Sequence, residues 1–420
     1  MTRSGETAKR ALDWLNFFLA DVRDGLGPYL AIYLLTVQKW DEASIGLVMS
    51  IGGIAAILAQ TPAGALIDHT KAKRAVLIAA AVVITLGSLA IPFVPGFIPV
   101  AALQALNGAA GSIFPPAIAA VTLGIVGPAA FARRVGRNEA FNHGGNATAA
   151  AIAAGAAYLF GPIVVFFVMA VMALASIIAT LSIPADAIDH GIARGLQERQ
   201  GGMESGEQPS GFRVLLTCRP LLIFAVCVVM FHFANAAMLP LVGQKLALVV
   251  GKEFGTSLMA VCIVAAQLVM VPVAMVTGAK AGPWGRKPLF LAGFLVLTLR
   301  GVLYPVSNNP YWLVGVQLLD GVGAGVFGAL FPIIVADLTR GTGHFNISQG
   351  AIATAQGLGA ALSNAVAGFI VVKAGYGAAF FFLAAVAGAG LLLFWLAMPE
   401  TSEAAQPRPA YGGVPIRTAP

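Results

Sequence analysis

The sequence predicts an all-α polytopic membrane protein with twelve transmembrane helices in two pseudo-symmetric halves of six. Its composition, its distribution of positive charge and an internal repeat support this fold class. Of the 420 residues, 58% are hydrophobic and only 10% are charged, whereas soluble domains carry about 25% charged residues. Apolar runs of about 20 residues, the length that crosses a bilayer, recur along the whole chain.

The apolar runs define the predicted spans and the domain boundaries. The spans cover approximately residues 11–36, 44–67, 75–94, 97–126, 139–160, 161–184, 219–248, 256–278, 287–307, 310–338, 346–373 and 377–398. The polar segment 185–212 lacks apolar periodicity and is predicted to be a flexible cytoplasmic linker. The chain therefore divides into an N-terminal half at 1–184, this linker, a C-terminal half at 213–398 and a disordered cytoplasmic tail at 399–420.

Lysine and arginine residues are distributed unevenly between the two sets of loops. With a cytoplasmic N-terminus, nineteen of the 25 fall in cytoplasmic segments, four fall outside, and Arg23 and Arg300 fall within spans. Because cytoplasmic loops are enriched in these residues, both termini are predicted to be cytoplasmic. The net charge of +7 is then explained by topology rather than by nucleic-acid binding. The first apolar run is a poor signal peptide, so a bacterial inner-membrane location is expected.

An internal repeat links the two halves of the chain. Three short stretches recur 213 or 214 residues downstream, and the predicted linker lies between the copies. The matched stretches are 64–74 with 278–287, 17–21 with 231–235, and 104–108 with 317–321. Matches in register indicate two structurally related halves, an arrangement typical of secondary transporters.

The loop between the second and third spans resembles the signature of the major facilitator superfamily, Gly-x-x-x-Asp-Arg/Lys-x-Gly-Arg/Lys-Arg/Lys. Gly64 and Asp68 fit this pattern, and Lys71, Lys73 and Arg74 supply its basic end, one residue out of register and without the second glycine. The resemblance implies the twelve-helix fold of that superfamily and a secondary transporter that requires neither a cofactor nor a metal ion. An enzyme is not expected, because no nucleophile–base constellation or metal motif appears in the sequence.

The second copy of the loop keeps the part of the signature that the first copy lacks. Gly285, Arg286 and Lys287 fit the basic end, while Gly282 replaces the acidic residue. Two departures concern individual subfamilies. Gln104 stands where the fourth-helix signature has arginine, and the fifth span lacks the Gly-Pro-x-x-Gly-Gly core of drug–proton antiporters.

Three acidic residues within the predicted spans are candidates for proton coupling. Asp21 and Asp24 lie three residues apart and share a helix face. Asp320 lies in the tenth span, and a carboxylate there is costly unless it is protonated, paired or hydrated. For Asp21 and Asp24 the alternatives are an ion pair with Arg23 or another basic group, or a helix end that lies nearer to water. For Asp320 the alternative is a hydrogen bond between packed helices. Arg300 would pair with Asp320 or extend towards an interface.

Other polar residues within the spans are candidates for a central substrate cavity. His143 is of particular interest because imidazole exchanges a proton near neutral pH, and Glu139 lies four residues before it on the same face. The alternative for each histidine is a packed, hydrogen-bonded position. The cavity candidates are Arg23, Gln104, Asn107, Asn142, His143, His232, Asn235, Gln267 and Gln356.

The two signature loops are expected to form a cytoplasmic gate that opens when the halves rock. This expectation follows from the family resemblance, and the alternative is a basic loop that only sets topology. The gate candidates are Gly64, Asp68, Lys71, Lys73, Arg74, Gly285, Arg286 and Lys287.

The sequence supports two transport hypotheses. The first is proton-coupled efflux of a small, partly apolar molecule by alternating access. The second is proton-coupled uptake of a polar or anionic solute or a metal chelate, in which Arg23 would bind the anion. A membrane sensor without transport activity is disfavoured by the Asp68 loop and the polar residues within the spans. The expected partners are the substrate, protons and the lipid bilayer.

Overall fold

The computed structural model describes residues 3–24, 30–31, 33–35, 37–94, 96–161, 163–196, 217–250 and 252–402. These residues form α-helices and short 3-10 turns and contain no strand. The helices of the N-terminal half are α1 Arg3–Asp24, α2 Glu42–His69, α3 Lys73–Ala90, α4 Phe97–Gly111, α5 Phe114–Phe160 and α6 Val164–Leu181. Those of the C-terminal half are α7 Arg219–Asn235, α8 Met238–Val250, α9 Lys252–Lys280, α10 Arg286–Leu303, α11 Pro310–Leu338 and α12 Phe345–Ala397.

The predicted all-α, twelve-span architecture is confirmed. By length and apolar composition, eight helical segments within the described residues qualify to cross a bilayer. Two of these segments, 97–157 and 345–397, are long enough to contain two spans each, because a bilayer span needs about 20 residues. In these two segments the boundary between spans therefore lies inside continuous helical chain rather than at a loop.

The longest helices bend at glycine. In α5 the bend lies at Gly127, whose φ of +71° suits a residue without a Cβ, and Pro128 follows it. In α12 the bend lies at Gly375, with a φ of +83°. The fifth span was predicted to begin at 139, after a loop, but α5 resumes its helical course directly after Gly127. Residues 128–138 are therefore helical, and the arginines they carry lie on helix faces.

Parts of the predicted linker and tail are ordered. Ala185–Ala187 and Ile192–Arg194 form 3-10 turns, and Ile188 and Ala193 are buried in the core of the N-terminal half. The first residues of the predicted disordered tail pack against the C-terminal half, where Thr401 is buried. Residues 197–216 and 403–420 lie outside the described residues.

The described residues form three buried apolar clusters, and the outer surface is also apolar. Two clusters lie in the N-terminal half, one with Leu12 and Phe114 and one with Tyr33 and Phe166; the third, with Phe290, lies mainly in the C-terminal half and extends to Phe131 of α5. Large apolar side chains such as Leu58 are exposed on the outside of the bundle. An apolar outer surface around buried apolar clusters is the arrangement expected of a bundle surrounded by lipid.

Helix packing follows the internal repeat. Within the halves, α1 packs on α5 as α7 packs on α12, and α2 packs on α4 as α9 packs on α11. Between the halves, the extensive contacts are α2 with α12 and α5 with α9. These two pairs of helices set the relative position of the halves.

Candidate functional site: a central cavity closed at one end

The halves meet most closely near the end of α2, in a region that we call the Asp68 end. A Cβ atom added at Gly64 would lie 2.2 Å from the carbonyl oxygen of Asn346 in α12. A Cβ atom added at Gly350 would lie 2.2 Å from the carbonyl oxygen of Gln60 in α2. The two backbones can approach this closely only because each helix offers a glycine at the crossing.

The second pair of helices makes the same kind of contact. A Cβ atom added at Gly136 in α5 would lie 2.5 Å from the carbonyl oxygen of Ala274 in α9. A Cβ atom at Gly278 would lie 2.6 Å from the Cα atom of Gly136. Small residues that let helix backbones touch are a common packing device within membranes. Glycine contacts on both helix pairs therefore close the Asp68 end.

Asp68 bonds directly to the opposite half. Its carboxylate accepts hydrogen bonds from the side-chain amide of Asn346 at 2.8 Å, from the backbone N–H of Asn346 at 3.3 Å and from that of Ile347 at 2.9 Å. Asp68 is only 1% exposed. The acceptor sits at the N-terminus of α12, where the helix dipole favours negative charge.

The basic residues of the first signature loop contact the N-terminal half. Lys73 is buried and donates from Nζ to two backbone carbonyls at the end of α2, at 2.8 and 2.7 Å. Arg74 donates to the last carbonyls of α6, and Lys71 is exposed. Nearby, burial and the charges of Lys73 and Lys71 lower the pKa of His190. Among the contacts of the described residues, Asp68 is the one charged group of this loop that bonds across to the other half.

The second signature loop is held by residues that the sequence did not single out. Gly285 precedes α10 with a φ of +84°. The Arg286 guanidinium donates to Asp337 at 2.9 Å, and the backbone N–H groups of Arg286 and Lys287 donate to Glu400. Burial alone would raise the pKa of Glu400, but backbone hydrogen bonds from Ser402, Arg286 and Lys287 lower it below its usual value. Glu400, the second residue of the predicted tail, thus caps α10.

A cavity of about 570 Å³ lies between the halves, beside these contacts. Four of the predicted cavity residues line it: Arg23, Gln104, Asn107 and Gln356. The polar lining that sequence reasoning did not assign comprises Asn16, Gln60, Ser88, Ser112, Thr122, Asn138, Glu139 and Gln349. A sequence signal for most of these residues exists, because polar side chains within apolar helices usually face a cavity or a polar partner.

The cavity wall also has an apolar portion. Met49 and Met169 come from the N-terminal half, and Phe327 and Phe331 come from α11. The two phenyl rings are stacked, with centroids 5.7 Å apart. Amides, one guanidinium, one carboxylate and these apolar side chains therefore face the same space.

The other five predicted cavity residues lie outside the lining. Asn142 is buried in α5. His143 contacts Gln267 of the opposite half, with Nδ1 2.7 Å from Oε1. The Nδ1 atom of His232 lies 3.2 Å from the carbonyl oxygen of Val228, and the imidazole ring packs edge-on against Phe327.

Asn235, the fifth of these residues, belongs to a buried polar network in the C-terminal half. The Arg300 guanidinium forms an ion pair with Asp320 and donates to Asn235 at 2.9 Å. Gln317 donates to the second oxygen of Asp320 at 2.9 Å and accepts from the hydroxyl of Tyr304. Arg300 is 1% exposed, so the guanidinium does not extend to an interface. The network joins α7, α10 and α11.

The repeat explains why the cavity extends into the N-terminal half. Gln104 and Gln317 are equivalent, as are Asn107 and Asp320. The position equivalent to Arg300 is Gly87, also 213 residues upstream. In the C-terminal half the side chains of Arg300 and Asp320 occupy these positions as an ion pair. In the N-terminal half Gly87 has no side chain to fill the corresponding space. There Asn107 donates to Ser88 at 3.2 Å beside the cavity.

The two N-terminal aspartates differ in what the structure describes. Asp21 is 6% exposed and is not part of the cavity lining. For Asp24 only the backbone is described, so its role as a coupling site remains a prediction.

An acidic residue in α1 that sequence reasoning missed makes a charge cluster with α5. Asp13 accepts hydrogen bonds from Arg137 at 2.9 and 2.8 Å and pairs with Arg134 at 2.8 Å. Arg134 also donates to Asn138 in the cavity wall. The sequence placed these arginines in a loop, and only the helical course of α5 brings them to Asp13.

The chain is similar in sequence to known transporters. The family model described as Major Facilitator Superfamily matches residues 13–299 and 246–418. An uncharacterised MFS-type transporter of Mycobacterium tuberculosis is 63% identical over 407 residues, which cover 96% of this chain and 97% of the relative. The multidrug transporter protein MdtP of Bacillus subtilis is 26% identical over 153 residues, covering 36% of this chain and 28% of that protein.

Solved structures share the fold at low sequence identity. FucP, a transporter of the same superfamily in the outward conformation, has a TM-score of 0.73 at 13% identity, covering 94% of this chain and 99% of FucP. The proton:xylose symporter XylE has a TM-score of 0.71 at 13% identity, with coverage of 95% and 96%. The human organic anion transporter MFSD10 has a TM-score of 0.68 at 15% identity, with coverage of 94% and 100%.

Proposed function

Since this chain belongs to the major facilitator superfamily of secondary transporters, we propose that it exports a small, partly apolar molecule in exchange for protons. The observation that carries this proposal is the cavity between the halves, closed at the Asp68 end. In such transporters the substrate site lies between repeated halves, and rocking of the halves exposes it to each side in turn.

The chemistry of the cavity supports a partly apolar cargo. Phe327, Phe331, Met49 and Met169 offer apolar and polarisable surface, and methionine adapts its shape to different ligands. The surrounding amides supply hydrogen-bond donors and acceptors that orient a ligand without fixing its charge. The partial sequence similarity to a multidrug transporter favours the same class of cargo.

The distribution of positive charge supports an assignment of which end of the transporter faces the cytoplasm. The Asp68 end carries Lys71, Lys73 and Arg74 of the first signature loop and Arg286 and Lys287 of the second. Because cytoplasmic ends are enriched in such residues, we assign the Asp68 end to the cytoplasm and the membrane to the bacterial inner membrane. The described conformation is then closed to the cytoplasm, and the gate candidates lie at its closed end.

The buried carboxylates differ in how well they suit proton coupling. Asp320 is held by Arg300 and Gln317, which favours a structural role for this residue. Asp21 is buried near the cavity end of α1 and remains a coupling candidate, as does Asp24.

A second candidate function is proton-coupled uptake of an anionic solute, because the Arg23 guanidinium lines the cavity. A guanidinium recognises a carboxylate through paired, charge-assisted hydrogen bonds. Arg23→Gln would weaken binding of an anion and leave binding of a cation intact or stronger.

Ligand-induced stabilisation of the purified protein tests both functions. A ligand that binds the folded state raises its apparent melting temperature by mass action. For export we expect tetraphenylphosphonium or ethidium to stabilise the protein, and more strongly in mildly alkaline than in mildly acidic buffer. Stabilisation by citrate or a ferric chelate, stronger in acidic buffer, would contradict export and support uptake. Transport of ethidium into proteoliposomes under an imposed pH gradient then checks the coupling.

A further inference from the structure

We propose that Glu139 and His143 of α5 form the proton-binding site of this transporter, with Gln267 of α9 as the residue that positions His143. The inference rests on the proposed proton coupling and names a site within it. The two residues stand one helical turn apart, and both contact the C-terminal half.

Glu139 connects the site to the cavity. It is among the cavity-lining residues, and its side chain is 23% exposed. Its carboxylate also reaches the other half, because a Cβ atom added at Gly328 of α11 would lie 3.3 Å from Glu139 Oε2. A proton that enters the cavity therefore meets this carboxylate at the boundary between the halves.

The contact with Gln267 fixes the protonation pattern of His143. The amide oxygen of Gln267 accepts hydrogen bonds and cannot donate them, so the Nδ1 atom 2.7 Å away carries a hydrogen. In the neutral ring the lone pair then resides on Nε2. That atom is buried and has no hydrogen-bond partner among the described residues. It lies 3.9 Å from Glu139 Oε2.

Two proton acceptors thus face each other 3.9 Å apart, about 1 Å farther than in a hydrogen bond, so a proton bound between them would draw the two side chains together. Without it, the pair of Glu139 and neutral His143 carries one negative charge. Uptake of one proton by the carboxylate makes the pair neutral overall and allows the Glu139 O–H to donate a hydrogen bond to Nε2. Neutralising the pair lowers the cost of burying it away from water. A cationic cargo and the proton would compete for the same carboxylate, as exchange transport requires.

The position between the halves couples proton binding to movement. Glu139 and His143 belong to the N-terminal half, whereas Gln267 and Gly328 belong to the C-terminal half. Rocking of the halves separates α5 from α9, which breaks the bond from Nδ1 to Gln267 and releases the constraint on Nε2. The proton affinity of the pair therefore differs between the two conformations, and linkage makes the conformation depend on pH.

Other charged groups around α5 already have partners or lie farther along their helices. On α5 itself and on α1, Asp13 is paired with Arg134 and Arg137, and on α11 Asp320 is paired with Arg300. Between 263 and 279 of α9, and between 345 and 372 of α12, the sequence has no titratable residue. The elements packed on α5 also carry Asp21 and Arg23 of α1, Asp68 and His69 of α2, Lys73 and Arg74 of α3, Arg194 of the 3-10 turn Ile192–Arg194, and Asp337 of α11.

Infrared difference spectra between mildly alkaline and mildly acidic buffers test the site without any cargo. The purified protein in lipid nanodiscs is expected to gain the absorption of a protonated buried carboxyl group. Glu139→Gln should remove this band, while Glu6→Gln, an exposed carboxylate on α1, should leave it unchanged. Gln267→Leu should keep the band but shift its titration midpoint. A band that persists in Glu139→Gln, or that Asp21→Asn removes, would overturn the proposal.

A distance measurement covers the case in which a variant spectrum is too weak. Spin labels at His69→Cys and Arg340→Cys, both exposed and on opposite halves, report opening of the Asp68 end. We expect a pH-dependent distance distribution that becomes independent of pH in Glu139→Gln and in His143→Gln. Retained pH dependence in both variants would overturn the site. If the wild type responds to pH but fails to move ethidium, the cargo assignment fails while the proton site stands.

Discussion

The carboxylate of Asp68 in α2 accepts hydrogen bonds from both the backbone and the side chain of Asn346, the second residue of α12. Asp68 belongs to the N-terminal half and Asn346 to the C-terminal half, 278 residues apart in sequence. The signature aspartate therefore acts through a helix N-terminus of the other half, and its basic neighbours brace the helices of their own half.

Replacing Asp68 by Asn should shift the protein towards conformations open at the Asp68 end. The amide keeps the size of the side chain but loses the negative charge and one acceptor oxygen. Hydrogen bonds to charged groups contribute about 1.5–3 kcal/mol each, so a roughly ten- to hundredfold change in the closed-to-open ratio is expected. Spin-label distances at the Asp68 end measure this ratio. Asn346→Ala, which leaves the two backbone donors in place, should have a smaller effect, and equal effects would refute the account.

Gly64→Ala should prevent closure of the same end without unfolding the protein. Its added methyl group would lie 2.2 Å from the carbonyl oxygen of Asn346, so α2 and α12 must move apart. Gly46→Ala on the same helix is the matched control, because nothing lies within 4 Å of its added Cβ atom. Helix content by circular dichroism should be unchanged in both variants. A Gly64→Ala protein that still closes would contradict the described packing of α2 on α12.

Asp320→Asn should lower stability strongly. It leaves the buried Arg300 guanidinium without its counter-charge, and breaking a buried ion pair typically costs about 3–5 kcal/mol. The double variant Arg300→Met, Asp320→Leu should recover part of the lost melting temperature, because it removes both charges. An Asp320→Asn protein as stable as the wild type would instead favour a protonated Asp320 and restore it as a coupling candidate.

Glu400→Gln should weaken the attachment of the C-terminal segment in a pH-dependent way. The pKa of Glu400 is lower in the folded protein, so its stabilising contribution is present above the pKa of an unfolded glutamate. That contribution is lost as the pH falls through the folded-state pKa. The melting temperatures of wild type and variant should therefore differ at neutral pH and converge in acid. A difference that persists unchanged in acid would exclude the carboxylate as its source.

The fold was predictable from the sequence because long apolar runs report directly on membrane-spanning helices. Residues 128–138 were misassigned because their arginines resemble a loop, whereas the structure uses them to bind Asp13 from a helix. Glu400 was missed because local composition cannot show that a tail residue reaches the N-terminus of α10.

The candidate site was only partly predictable for the same physical reason. Polarity within a span identified Gln104, Asn107 and Gln356, which do line the cavity. Polarity alone could not distinguish these residues from Asn235, which accepts a hydrogen bond from the buried Arg300. The direction in which a side chain points depends on tertiary packing. The contrast between Gly87 and Arg300 is visible only once the repeat is superimposed on the fold.

The most direct test of the central claim is the side from which the cavity can be reached. A membrane-impermeant maleimide is applied to Ala353→Cys, a cavity-lining position, in right-side-out and inside-out vesicles, after Cys218, Cys227 and Cys262 are replaced by serine. The account predicts labelling from the side opposite the Asp68 end, and labelling from the Asp68 side once Gly64→Ala is added. Labelling from the same side in both proteins, or from neither, would contradict alternating access around this cavity.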